Sequence, residues 1–520
     1  MFEDRIRRLA ISGSPNILWG GLKGVEKESL RVGPDGSLAE TPHPRRLGSA
    51  LTNRFITTDF SEALLEFVTP ACSNTWQTLR FLCDLHQFSY QRMDDELLWA
   101  TSMPCRIPEE QKIPLAQYGH SNVGRMKTIY RNGLGLRYGR NMQTIAGVHF
   151  NYSLPESFWP AYWELEESGL DICSFRSTAY LGLVRNFRRF GWLALYLFGA
   201  SPALCKSFTQ GRDIAMPSFD GETYFEPFAT SLRMSDLGYS NNNQAKINIS
   251  LNSLDEYIDD LNRAIRTPAP AFERIGAKVD DEYRQLSVNQ LQIENEYYSP
   301  IRPKRVARSG ERPTAALQRN GIEYVEIRSL DINIFDPVGI NQNAMRFMEA
   351  FLVYCLLQDS PQVDRDDWQE FDWNHSQTAK RGRDPDLKLK RHGKTVPLAS
   401  WAEEIIQDVA AIAELIDRGS GKTECADAVR AQAELVRNAD ATPSARLLEE
   451  LRSAKTDFFT LALEAAKGHR AYFDALENLQ QDRLDMLEAE AAESIQRQTE
   501  IEAGDTLSLD EYLEKYFSES

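Results

Sequence analysis

Several things that would mark other kinds of protein are missing from this chain of 520 residues. It has no CxxC pair. Its seven cysteines (72, 83, 105, 173, 205, 355 and 425) are scattered and odd in number, which suits free thiols in a reducing compartment better than a disulfide framework. The opening residues, MFEDRIRRLAISGS, lack an apolar signal core, and the longest apolar run, FGWLALYLFGASPAL from Phe190, is too short to span a bilayer. A cytoplasmic protein with no membrane partner is expected. Positive charge is also scarce, with 59 Lys and Arg against 76 Asp and Glu for a formal charge of −17, so nucleic acid is not expected as a partner. No internal repeat of about 20–50 residues and no low-complexity tract is present.

What is present is an ordinary globular composition, 42% hydrophobic and 26% charged, in a chain long enough to bury a large core. The acidic excess is partly local: residues 441–520 carry 8 Lys or Arg against 18 Asp or Glu. Strand-like segments (GVEKESLRV, ALLEFVTP, TIAGVHFNYSL, QLQIENEYYSPIRP and GIEYVEIRSLDIN) are separated by helical ones such as WQTLRFLCDLHQFSYQRM and SLDEYIDDLNRAIRTP, a pattern of α+β type. Residues 1–358 read as a sheet-and-helix core, 359–396 as a polar surface excursion, and 397–520 as a helical C-terminal region packed on that core. Within the last part, Ser508 and Glu511 have the spacing of a helix start.

Two phosphate-loop lookalikes fail. GSGKT at 419–423 lacks the earlier glycine, and GLGLRYG from Gly133 has the wrong spacing for a dinucleotide fingerprint and reads as a flexible turn.

The informative residues are acids on apolar strand faces. In GVEKESLRV, Glu26 and Glu28 share a face with Leu30 and Val32, while Val25, Lys27, Ser29 and Arg31 point the other way. A buried carboxylate pair is costly without cations, so either the pair is a solvated edge or something neutralises it. Glu66 and Glu326 likewise interrupt apolar faces, although a strand-end acid and an ion pair with Arg328 are the simpler readings for them. Asp59 fits a turn or cap, and His149, on the side of Asn151 and Ser153, fits a hydrogen-bonded structural histidine. Taken together, these acids and the imidazole form an oxygen-rich donor set that suits Mg²⁺ or Mn²⁺ rather than zinc. Mg²⁺ commonly accompanies phosphate, and Tyr130, Arg131, Arg328 and the basic run PIRPKRVARSGERP, with Lys304 and Arg305, read as phosphate handling.

The segments GVEKESLRV, SALTNRFITTDFSEALLEFVTP, AQYGHSNVGRMKTIYRNGL, MQTIAGVHFNYSLP, YLFGASPA, ATSLRMSDLGY, LQIENEYYSPIRPKR and GIEYVEIRSLDIN resemble the proteobacterial type of glutamate–cysteine ligase from about residue 18 to residue 352. The resemblance implies a curved antiparallel sheet forming a funnel surrounded by helices, similar to glutamine synthetase. It also implies ATP-dependent joining of the glutamate γ-carboxyl to the cysteine amine. Carried over by position, it implies Glu26, Glu28, Asp59, Glu66, His149 and Glu326 as ligands of two or three Mg²⁺ ions, and Arg131 and Arg328 at the transferred phosphate. Tyr130, Arg233, Tyr239 and Tyr298 are implied in the amino-acid pockets, although Arg233 has a simpler reading as a partner of Asp236. Glutamate, cysteine and ATP are then the expected small-molecule partners, and a monomer is among the states the sequence allows. A ligase for a different amine and a non-catalytic acidic scaffold are the competing readings.

Overall fold

A computed structural model describes residues 2–11, 16–209, 214–219, 221–238, 244, 247–308 and 310–518. Its centre is a seven-stranded antiparallel sheet: β1 (Leu22–Val32), β2 (Ile56–Thr58), β3 (Leu64–Val68), β4 (Leu97–Leu98), β5 (Val148–Ser153), β6 (Ile301–Lys304) and β7 (Tyr324–Leu330). The order across the sheet is β6-β7-β5-β1-β3-β2, with β4 pairing the far end of β1. The expected α+β class and its antiparallel sheet are what the structure has.

Period-two patterning makes the two faces of β1 different. On one face, Lys23, Val25, Lys27, Ser29 and Arg31 are all buried. The helices Thr75–Tyr90 and Gln342–Leu357 cover this side, the first started by Asn74, whose side chain accepts from the backbone N–H groups of Trp76 and Gln77. Buried cations here are matched: Lys23 Nζ lies 2.7 Å from Glu349 and Arg31 Nη1 lies 2.6 Å from Glu96. The opposite face carries Glu26 and Glu28.

Lys27 is the exception on the buried face. Its ammonium meets Ser29 Oγ and His86 Nε2, with no carboxylate in ion-pair range among the described residues, and desolvation brings its pKa down to about 7. A lysine titrating near 7 when folded and near 10.4 when unfolded binds fewer protons in the native state across that interval, so its contribution to stability rises with pH from about 7 to 10. In Lys27→Met this increment, at most about 4 kcal/mol, should vanish. Urea unfolding of both proteins at pH 6.5 and pH 10 checks it through the difference of differences, in which lost contacts to Ser29 and His86 cancel.

The C-terminal helices brace the sheet from outside. The helix Gln481–Gly504 ties down the 48–54 loop, with Glu490 accepting from Arg54 Nε at 2.7 Å and Ser494 Oγ accepting from Ser49 N at 2.9 Å. The helix Leu509–Ser518 starts at the expected capping residues: Ser508 N donates to Glu511 at 2.8 Å and Glu511 N donates to Ser508 at 3.3 Å. Its Leu509 and Leu513 pack with Met126 and Ile293.

Several sequence expectations are corrected. Cys105 and Cys205, 100 positions apart, form a disulfide, whereas free thiols were expected; Cys72, Cys83, Cys173, Cys355 and Cys425 are free. GLGLRYG is not a turn but the end of the helix Asn122–Tyr138. Gly133 sits there because a Cβ would fall 2.1 Å from Gln292 Oε1. QLQIENEYYSPIRP is a strand only at β6; Glu294–Glu296 form a 3₁₀ turn. Within 359–396 the chain forms a helix, Arg365–Arg381, and a hairpin of Lys388–Arg391 with Lys394–Pro397, burying Phe371, Thr378 and Ala379. No helix among the described residues is long and apolar enough to cross a membrane.

Candidate active site

Register brings the acids together. Glu26 pairs with His149 across β1 and β5, Glu28 with Glu66 across β1 and β3, and Glu326 with Asn151 across β7 and β5. Directly opposed side chains in such ladders lie about 4.5–5.5 Å apart at Cβ, so three strand pairs place four carboxylates around one imidazole. His149 Nδ1 lies 3.1 Å from Glu26 and 3.8 Å from Glu326, and Nε2 lies 3.9 Å from Glu28. Ligand atoms of Glu26, Glu66 and His149 fall within 4.8 Å of one another.

These residues line a cavity of about 560 Å³ together with Asp59, Lys127, Tyr130, Arg131, Tyr298, Arg302, Lys304 and Arg328. The helix Asn122–Tyr138, started by Ser121, supplies Lys127, Tyr130 and Arg131. Arg131 donates to the Asp59 carbonyl, lies 3.5 Å from the Asp59 carboxylate, and stacks its guanidinium 4.6 Å over Tyr118. Arg328 Nη1 lies 3.1 Å from Glu326 Oε1, and Lys304 Nζ lies 3.4 Å from Oε2. A register shift in β7 between Ile327 and Leu330 falls at Arg328, a common device for aiming a side chain at a site.

The electrostatics divide the acids. Glu326, despite desolvation, is held well below the usual carboxylate range by Lys304, Arg328 and His149. In Glu26 desolvation is likewise outweighed, chiefly by its hydrogen bond with His149. Burial pushes Glu28 up, and burial followed by the charges of Glu26, Asp59 and Glu28 pushes Glu66 far up. Positive charge arriving in the cavity would oppose this upward push on Glu28 and Glu66. Burial also brings Lys127 down to about 8.

Of the residues singled out from sequence, Glu26, Glu28, Asp59, Glu66, Tyr130, Arg131, His149, Tyr298, Lys304, Glu326 and Arg328 line this cavity. Arg305 does not; it donates to the Gly321 carbonyl and lies 3.6 Å from Glu323. Arg233 is buried behind the site, 3.6 Å from Asp331 rather than paired with Asp236, and donates to the Arg328 carbonyl at 2.9 Å. Asp236 pairs with Lys380 at 2.6 Å. Tyr239 lies outside the described residues. Arg302, from the basic run, also lines the cavity, and two contributors went unrecognised: Lys127, and Asn151, whose Nδ2 donates to Glu26 at 2.9 Å. For Asn151 the signal was available, because it shares the face of His149.

Comparison with known proteins gives the geometry a context. The family model described as glutamate-cysteine ligase matches residues 6–378. Glutamate–cysteine ligases of Alcanivorax borkumensis and Pseudomonas putida are 50% and 47% identical, each alignment covering 99% of this chain and 99% and 98% of the relative. A crystal structure of the Francisella tularensis glutamate–cysteine ligase in complex with AMP superposes with a TM-score of 0.90 at 36% identity, covering 96% of this chain and 98% of the other. A bifunctional glutathione synthetase from Pasteurella multocida, at 24% identity and a TM-score of 0.71, covers 91% of this chain and 55% of its own and shares the fold. Sheet, cavity and relatives together define an enzyme of the ligase class. Within that class, the chain belongs to the glutamate–cysteine ligase family.

Proposed function

We propose that this enzyme uses ATP and Mg²⁺ to join the γ-carboxyl of L-glutamate to the amine of L-cysteine through a γ-glutamyl phosphate. The products are γ-glutamylcysteine, ADP and phosphate, in the first step of glutathione biosynthesis. The observation that carries the reading is the convergence of Glu26, Glu28, Glu66, Glu326 and His149 in one cavity whose walls bear Arg131, Arg302, Arg328 and Lys304, in a chain of this family. The AMP bound to the Francisella relative supports a nucleotide as ligand.

The donor set fits divalent magnesium. It is oxygen-rich, one imidazole aside, burial and the neighbouring carboxylates push Glu66 far up, and Glu326 Oε2 is buried without a hydrogen bond. Glu26, Glu28, Asp59, Glu66, His149 and Glu326 would hold two or three ions, Mn²⁺ serving as an alternative. Such ions, when bound, offset phosphate charge and orient the transferred group.

A carboxylate resists an amine because its charge repels the nucleophile and oxide is a poor leaving group. A glutamate γ-carboxylate oxygen attacks the γ-phosphorus of ATP, the bond to the bridging oxygen breaks, and ADP leaves. Arg131 and Arg328 both line the cavity and meet the charge that develops on the phosphoryl oxygens. The cysteine nitrogen then attacks the acyl carbon, phosphate leaves with its oxygen, and the nitrogen sheds a proton. Tyr130 and Tyr298 close the wall around the amino acids and help exclude water from the acyl phosphate. Arg233 acts from behind, holding the Arg328 backbone.

ADP release with glutamate plus Mg²⁺ and a panel of amines tests the reading. Cysteine should be preferred, with larger side chains rejected sterically. Equal turnover with an unrelated amine would reassign the ligase, and no Mg²⁺-dependent turnover with any amine would overturn it.

A further inference from the structure

Six Lys and Arg side chains line the main cavity: Lys127, Arg131, Arg137, Arg302, Lys304 and Arg328. Five are engaged by oxygens of the protein. Arg131 lies 3.5 Å from Asp59, Arg137 lies 2.8 Å from Glu296, Lys304 and Arg328 share Glu326, and Arg302 donates to the Asn295 and Tyr297 carbonyls. Lys127 is the sixth. Its ammonium sits 5.1 Å over the Tyr118 ring, and no carboxylate among the described residues comes within ion-pair range of it. Lys127 and Arg131 are one turn apart on the helix Asn122–Tyr138, so both project from the same helix face, and both lie over the same tyrosine. Like charges at that spacing destabilise a helix, and the arrangement is tolerable where an anion arrives beside them. The negative charges that act on Lys127 are those of Glu66 and Asp59. Both belong to the set that would hold magnesium, and an ion bound there would take up their charge. The ammonium would then need another anion, and a phosphoryl group held by the same ions supplies one.

We infer that Lys127 is a further catalytic residue, whose ammonium, beside Arg131, contacts the phosphoryl oxygens during transfer from ATP to the glutamate γ-carboxylate. The inference rests on the ligase reading above and deepens it. Lys127 keeps its proton throughout. The bond from the γ-phosphorus to the bridging oxygen breaks, the bond to the carboxylate oxygen forms, and the ammonium supplies fixed positive charge to the phosphoryl oxygens in flight. Desolvation and the charge of Arg131 bring the side chain down to about 8, and an anion at this place favours its charged form.

Lys127→Met removes the charge and keeps most of the length. Its kcat should fall about 100-fold, with KM for glutamate and for cysteine moving about threefold or less. Lys127→Arg, which restores the charge in a different shape, should recover part of the loss. A lysine serving only to balance Asp59 and Glu66 would behave otherwise: its removal would lower the magnesium concentration for half-saturation and leave kcat at saturating magnesium unchanged. A second measurement needs no variant. The full-length wild type is trace-acetylated with acetic anhydride in ADP, Mg²⁺ and glutamate, with and without aluminium fluoride, a planar stand-in for the phosphoryl group in flight, and labelling is read by mass spectrometry. Fluoride should slow labelling of Lys127 about 10-fold or more, because an ammonium held by an anion is not a nucleophile, while the exposed Lys467 labels as before. This arm decides the matter should K127M fail to fold.

Wild-type kcat in a folded K127M protein would overturn the inference, as would labelling of Lys127 that ignores fluoride while ADP release proceeds; either result leaves the ligase reading standing. Protection of Lys127 that depends on both fluoride and glutamate, with no ADP release from glutamate plus cysteine, would keep the inference and remove cysteine as the acceptor.

Discussion

Arg328→Ala should lower kcat by about 10³-fold while moving the KM for glutamate far less. The size follows from the role proposed for it. An arginine that meets phosphoryl charge chiefly in the transition state is worth about 10³–10⁵ in rate in other phosphoryl-transfer enzymes, and a loss confined to kcat marks an interaction made in the transition state. Several features hold Arg328 for this: its ion pair with Glu326, the irregularity in β7 at its position, and the hydrogen bond from Arg233 to its carbonyl. Arg328→Lys separates charge from shape, since a lysine restores the positive charge without the planar fork. It should recover only part of the lost rate. Steady-state ADP release with saturating glutamate, cysteine and Mg²⁺ gives both numbers, and a melting curve guards against misfolding. An alanine variant with wild-type kcat would remove Arg328 from the mechanism.

The sheet assigns its two faces to different tasks. Behind β1 the buried charges other than Lys27 are matched, Lys23 with Glu349 and Arg31 with Glu96, and those pairs serve the fold. In front, acids outnumber the cations that reach them, and Glu28 and Glu66 stand opposite each other in register. Like charges directly opposed across strands destabilise a sheet. An excess of this kind is tolerable where a ligand completes the charge balance, and it sits where the cavity opens. The arginines and lysines of the walls face the same space, so one cavity offers both carboxylate oxygens for cations and guanidinium groups for phosphate.

The acids were legible because strands alternate. Period two put Glu26 and Glu28 on one face without any knowledge of the fold, and the same count paired Glu326 with Arg328. Which acids would meet depended on register between strands that are not neighbours in sequence, and that came from the family resemblance rather than from local pattern. Asn151 was missed although its place on the face of His149 was legible, because the search followed charge and an amide has none. Lys127 was missed because it sits on a helix whose glycines suggested a turn; those glycines serve close packing instead. The Cys105–Cys205 pair was invisible for the same reason as the register, since Cα atoms 5.4 Å apart are separated by 100 residues of chain. Arg233 was assigned to a substrate pocket from the family resemblance, and its contacts with the Arg328 carbonyl and Asp331 were not legible from the sequence.

Glu26→Gln tests the carboxylate cluster itself. The substitution keeps the volume and the ability to accept from Asn151 Nδ2, which now reaches Glu26 Oε1 at 2.9 Å, so the fold should survive with little change in melting temperature. What it removes is one negative charge from the edge of the group where His149 and Glu326 also converge. Magnesium titrations of activity should then show half-saturation displaced to higher concentration by about 100-fold, the upper end of the 10–100-fold typical of losing a residue that only orients a metal ligand. Partial rescue at high Mg²⁺ would identify a weakened ion site rather than a lost catalytic group, and the same variant should show a smaller rise in melting temperature when Mg²⁺ is added. A folded Glu26→Gln protein with the wild-type magnesium dependence would assign Glu26 to the structure alone. Loss of folding in the variant, with magnesium binding intact in the wild type, would point the same way.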